Sequence, residues 1–170
     1  MPSKGLKSSN ATSLKMEDMF ILDQCALIET RCAELYKHFA KITADTELES
    51  LWKKTALEEE HHALQFKMLA RLKEGIKIKA DVLKVKLVLQ QLNDLFARIE
   101  KSRLSAIETL QVGIRLEGYL SQYHCNSIVV CDDAEMAKLL EAMMKIDIEH
   151  TDMLRRVLER MTDPPPRHPS

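Results

Sequence analysis

The 170-residue chain has only four glycines, and its five prolines stand at Pro2, Pro164, Pro165, Pro166 and Pro169. Nothing between Ser3 and Asp163 therefore forces a helix to break, and few β-branched alternations leave little from which to build a sheet. The four cysteines, Cys25, Cys32, Cys125 and Cys131, form no CxxC pair and no dense framework. That argues against a disulfide scaffold and for a reduced, cytoplasmic setting. The longest uncharged run, GYLSQYHCNSIVVC, has 14 residues and includes Ser, Gln, His and Asn, too short and too polar to span a membrane. The N-terminus lacks the apolar core of a signal peptide. With 25 basic and 26 acidic residues there is no general electrostatic footprint for nucleic acid.

What is present is 45% apolar and 30% charged residues, ordinary for one soluble domain with a real core. The reading is all-α. A first helix runs from about Ser13 to Ile42. A second follows TADTELES, where Asp45 or Thr46 caps and Glu49 completes a capping box, and Gly75 ends it. The basic, poorly periodic IKIKADVLKVK reads as a crossover, followed by a shorter helix from about Leu87 to Glu100. Ser105 and Glu108 form another capping box for a third long helix reaching about Val130, and Asp132 or Asp133 caps a fourth that continues to about Met161. Two helix pairs joined by a long connection make a four-helix bundle with a crossover and a short extra helix. It occupies residues 13–161, between a disordered N-terminus (1–12) and a disordered tail (162–170).

Helical periodicity puts an acid into the apolar stripe of every long helix. The stripes are Cys25, Glu29, Cys32, Tyr36 on the first; Trp52, Ala56, Glu59, Ala63, Phe66, with His62 beside them, on the second; Leu110, Ile114, Glu117, Leu120, His124 on the third; and Leu140, Met143, Asp147, His150, Leu154 on the fourth. Within TALEEEHHALQF the spacing alone does not choose between Glu58/His61 and Glu59/His62. An internal repeat does. An offset of 88 residues carries Glu29 to Glu117, Glu59 to Asp147 and His62 to His150, whereas Glu58 and His61 would fall on Ile146 and Glu149. Glu58, Glu60 and His61 are then the solvated side of the helix, and His124 is a satisfied helix histidine.

Four ionised carboxylates facing one another in a core would repel, and must protonate or find cations. Two divalent metals resolve this: carboxylates bridge and imidazoles take terminal positions, a set suited to iron or manganese. One Glu from each of two helices plus Glu-x-x-His from the other two is the ligand pattern of ferritin-like di-iron bundles, here with Asp147 in place of one Glu.

ETRCAELYKHFA from Glu29, TALEEEHHA from Thr55, GIRLEGYLSQY around Glu117 and DIEH at Asp147 resemble the four helices of the rubrerythrin family, over roughly residues 13–161. The resemblance implies a non-haem site of two iron ions, with manganese as the alternative. The metal ligands would be Glu29, Glu59, His62, Glu117, Asp147 and His150, with Tyr36 as the catalytic side chain beside them. It implies an oxidoreductase of oxidative stress that reduces hydrogen peroxide or oxygen, the other reading being ferritin-like iron oxidation and storage or transfer. No rubredoxin domain follows, so an external donor such as a rubredoxin-like protein would return the electrons. The additional Glu of that family is Leu120 here, and the shorter Asp147 predicts looser metal binding on the His150 side. Partners are otherwise a second copy in a homodimer, with no nucleic acid and no membrane.

Overall fold

A computed structural model describes residues 16–71, 76–127, 129–131 and 134–163. The expectations for residues 1–12, for Gly75 as a helix end, for Asp132 or Asp133 as a cap and for residues 164–170 lie outside these. Five helices and one short ribbon make up the described chain. Helix α1 spans Met16–Ile42 and α2 spans Thr46–Leu69. Glu17 and Asp18 open α1 and Lys41 closes it, each charge opposing the helix dipole at its end. The link between them is three residues long, so α2 turns back and packs along α1. Asp45 sets that turn: its side chain accepts from the Leu48 amide at 2.9 Å, satisfying one of the donors a helix start leaves open. Glu49 does not complete a capping box. Its carboxylate pairs with Lys53 one turn on, and the Asp45 amide donates to Thr43 Oγ1 instead.

Strand β1, Ile76–Ile78, pairs antiparallel with β2, Val129–Cys131, in the register Ile76 to Cys131 and Ile78 to Val129. Helix α3, Val82–Ile99, starts five residues before the expected Leu87. The reason is Asp81, whose carboxylate accepts from the Leu83 amide at 2.7 Å and so nucleates the helix inside the segment read as a crossover. Val85, Val88, Leu92 and Ile99 form its buried face, and it packs on α1. Arg31 joins the two by donating to Asn93 at 2.8 Å, with its guanidinium 5.9 Å from the centre of the Phe96 ring.

Helix α4 spans Ala106–Ser127 and α5 spans Ala134–Thr162, and these two also pack together. At the head of α4 the expected capping box is present: Glu108 Oε2 accepts from the Ser105 amide at 2.7 Å while Ser105 Oγ accepts from the Glu108 amide at 3.3 Å. The helix stops at Ser127, short of the expected Val130, because residues 129–131 leave it to pair with β1.

Side chains of α1, α2, α4 and α5 meet in one interior. Trp52 is its aromatic centre, stacked on Tyr36 at 5.4 Å with planes 13° apart and tilted against Phe39 at 5.1 Å. Gly113 lets α4 approach: a Cβ there would come within 2.7 Å of Trp52 Cη2 and 3.2 Å of Leu154 Cδ1. Ile21, Leu22, Ile28, Leu35, Leu48, Leu69, Leu110 and Leu154 are almost wholly buried, each contributing about 1.5–3 kcal/mol of transfer free energy. Cys25 and Cys32 are free and buried, and their thiols are pushed up by burial and by Glu29, so they pack as small apolar side chains. Among the described residues no helix is long and apolar enough to cross a membrane.

Candidate metal centre

All six side chains singled out by the repeat are buried: Glu29, Glu59, His62, Glu117, Asp147 and His150. Helices α1, α2, α4 and α5 each contribute because the polar intruder sits in an otherwise apolar stripe, and the stripe can be buried only by carrying the intruder inward. They meet as two groups whose candidate ligand atoms lie within 4.8 Å of one another, Glu59 with Glu117, Asp147 and His150, and Glu59 with Glu29 and His62. Glu59 belongs to both. Its Oε2 lies 3.1 Å from His62 Nδ1 and its Oε1 lies 3.4 Å from His150 Nδ1, so one carboxylate spans the space between the imidazoles. Asp147 also reaches across, 3.5 Å from His62 Nδ1. Glu117 Oε2 is 3.8 Å from His150 Nδ1. Thr151 donates to the Asp147 carbonyl at 3.2 Å, which satisfies its own buried hydroxyl.

Protons on the imidazoles offset part of the carboxylate charge within the cluster. Burial opposes ionisation of Glu59, yet its contacts with His150 and His62 bring its pKa down to about 2. Glu117 goes the other way, up to about 7, through burial and the neighbouring charge of Glu59. Burial disfavours imidazolium at His150, but the nearby Glu117 and Glu59 carboxylates overcome this and raise it to about 11. His62 is likewise raised, against its burial, by Glu59, Glu29 and Asp147. Tyr36 donates its hydroxyl to Glu117 Oε1, and burial and the Glu117 charge keep it protonated.

These residues fit a cation. Glu59 Oε1 and His150 Nδ1 are buried without a hydrogen-bond partner and face each other. Such groups are costly to bury unsatisfied, and a shared divalent ion would satisfy both. Carboxylate and imidazole donors together could hold a divalent metal ion.

Sequence reasoning put Glu58 on the solvated side, and the structure corrects this. The Glu58 side chain is only 26% exposed, and its Oε2 accepts from His150 Nε2 at 2.6 Å. Position 58 borders the buried stripe, and a glutamate is long enough to reach the neighbouring α5. Glu60 and His61 keep their expected places: Glu60 pairs with Lys37 at the surface and His61 is exposed. Leu120 is buried and lines, with Val88, Leu92 and Leu116, a groove of about 280 Å³ between α3 and α4. The side chain of His124 lies outside the described residues.

Comparison of the chain with known protein families, with characterised proteins and with solved structures finds no match.

Proposed function

We propose that the chain is a ferritin-like four-helix bundle of the rubrerythrin kind, with α3 as its crossover helix, that holds two metal ions and reduces hydrogen peroxide or oxygen. The observation that carries this is Glu59, shared between two buried ligand groups of opposite ends of the repeat. A carboxylate common to two buried groups, each of which also holds an imidazole, would suit a pair of divalent ions. The ligands would be Glu29, Glu59 and His62 on one side and Glu117, Asp147 and His150 on the other. Iron, or manganese in its place, would supply electron pairs to the oxidant, which an external donor would replenish.

The chain's own residues do the rest. Glu59 is ionised throughout the physiological range and holds its charge at the centre. His62 and His150 present Nδ1 to the cluster, and must give up their protons there before either can ligate. The Tyr36 hydroxyl, which donates to Glu117, would keep a proton beside that ligand, close to where an oxidant would be reduced.

The test is anaerobic ferrous titration followed by separate additions of peroxide and oxygen. Uptake of two ions per chain with rapid oxidation by either reagent supports the reading. Absence of binding overturns it, and retention of many more than two oxidised ions favours iron storage.

A further inference from the structure

The 88-residue repeat duplicates the ligands but not what holds them. His62 and His150 occupy matching positions and both turn Nδ1 toward the cluster. Their outer nitrogens differ. His150 Nε2 bonds Glu58 Oε2 at 2.6 Å, and the other oxygen of Glu58 lies 3.7 Å from Lys54 Nζ, one turn earlier on α2. His62 Nε2 is buried and has no hydrogen-bond partner among the described residues. The position related to Glu58 by the repeat is Ile146, which offers no acceptor.

We propose that Glu58 is a positioning residue for His150 and makes the two metal positions unequal, the His150 side being the tighter and the first to fill. This rests on the metal-centre reading above. The physical reason lies in the tautomer. To ligate through Nδ1 an imidazole must carry its remaining proton on Nε2, and a carboxylate accepting that proton fixes both the tautomer and the ring plane while making Nδ1 a better donor. His62 must adopt the same tautomer with no acceptor for Nε2 among the described residues. Its ring loses freedom on binding, and its Nε2–H stays buried without an acceptor, a cost that the His150 side does not carry. The shorter reach of Asp147 argues for the opposite ranking. Asp147, however, already lies 3.5 Å from His62 Nδ1 across the cluster, so the missing methylene does not confine it to the His150 half.

The experiment is titration of the full chain with cobalt(II), followed by calorimetry and by the visible absorption that reports cobalt geometry. It compares wild type, Glu58→Ala, Glu58→Gln, His150→Ala and the Glu58→Ala/His150→Ala double variant. Wild type should take up two ions in two steps. Glu58→Ala should weaken the first step about 10–100-fold, the range typical of lost outer partners of metal-ligating histidines, and leave the second unchanged. Glu58→Gln retains an oxygen acceptor and should recover most of the loss. In the His150→Ala background, Glu58→Ala should change nothing further. The inference is overturned if Glu58→Ala binds both ions as wild type does, if both steps weaken together, or if the double variant is weaker than His150→Ala alone. A wild-type chain that binds no cobalt overturns the metal-centre reading itself and the inference with it, so the two failures are distinct.

Discussion

The ring of Tyr36 lies nearly parallel to the indole of Trp52, 5.4 Å away, while its hydroxyl donates to Glu117 on α4. One residue thus joins the aromatic centre of the core to the acidic cluster. Tyr36→Phe preserves the stacking and deletes the donor. The buried Glu117 oxygen then loses a partner, which costs about 1–3 kcal/mol. The metal-free variant should melt lower than wild type while still taking up two ions. An unchanged melting temperature would show that Glu117 finds another donor.

The shared position of Glu59 separates its loss from that of any other ligand. Glu59→Ala should abolish binding of both ions, because each ligand group contains it. Glu29→Ala should lose only the ion on the His62 side. Elemental analysis of purified variants after anaerobic iron loading decides this, and one full equivalent of metal in Glu59→Ala would show that the carboxylate is not shared.

Stability of the metal-free chain should fall with rising pH. His150, raised from 6.5 to about 11, contributes stability that is complete below the lower value and lost as pH climbs through the higher. Glu117, raised from 4.5 to about 7, adds a loss of the same sign across its own window. Glu59, lowered from 4.5 to about 2, acts oppositely, contributing stability above 4.5 that disappears toward pH 2. The folded state binds more protons than the unfolded chain from about pH 4.5 upward. Thermal unfolding in chelator should therefore show its highest midpoint in mild acid and a decline from pH 6.5 to 9. Metal affinity should rise over the same interval, with protons released on binding. A metal-free midpoint that climbs between pH 6.5 and 9 would contradict the charge balance described.

Gly113→Ala sets two effects against each other. Alanine is favoured in a helix interior by about 1 kcal/mol over glycine, but here its Cβ meets Trp52 Cη2 at 2.7 Å. Trp52 is fully buried and held by Tyr36 and Phe39, so overpacking should win, with a net loss of about 1–3 kcal/mol. Denaturant unfolding measures it, and a gain in stability would mean that the indole shifts at little cost.

The six buried acidic and imidazole side chains were legible in the sequence because burial of a charged residue in an apolar stripe breaks a pattern, and because the break recurs at one offset. Asp45 and the Ser105–Glu108 pair were legible because capping is local. Asp81 carried the same local signal, hidden by the alternating lysines around it. Glu58 was not legible. Its role depends on how α2 and α5 are placed against each other, which neither periodicity nor the repeat encodes, and the repeat points away from it by pairing it with Ile146. The ribbon of residues 76–78 and 129–131 escaped notice because three-residue strands are too short to show alternation, and each is completed only by a partner about 50 residues distant.

That ribbon has a topological consequence. It ties the segment leaving α2 to the segment entering α5, so the chain's first and second halves are laced together at one end by main-chain hydrogen bonds within a single molecule. Exchange of halves between two copies would have to unpick Ile76 from Cys131 and Ile78 from Val129 before any helix could depart. The lacing acts as a latch on chain exchange: it keeps all six acidic and imidazole groups on one polypeptide, and any dimer that forms should associate through outer surfaces rather than by trading helices.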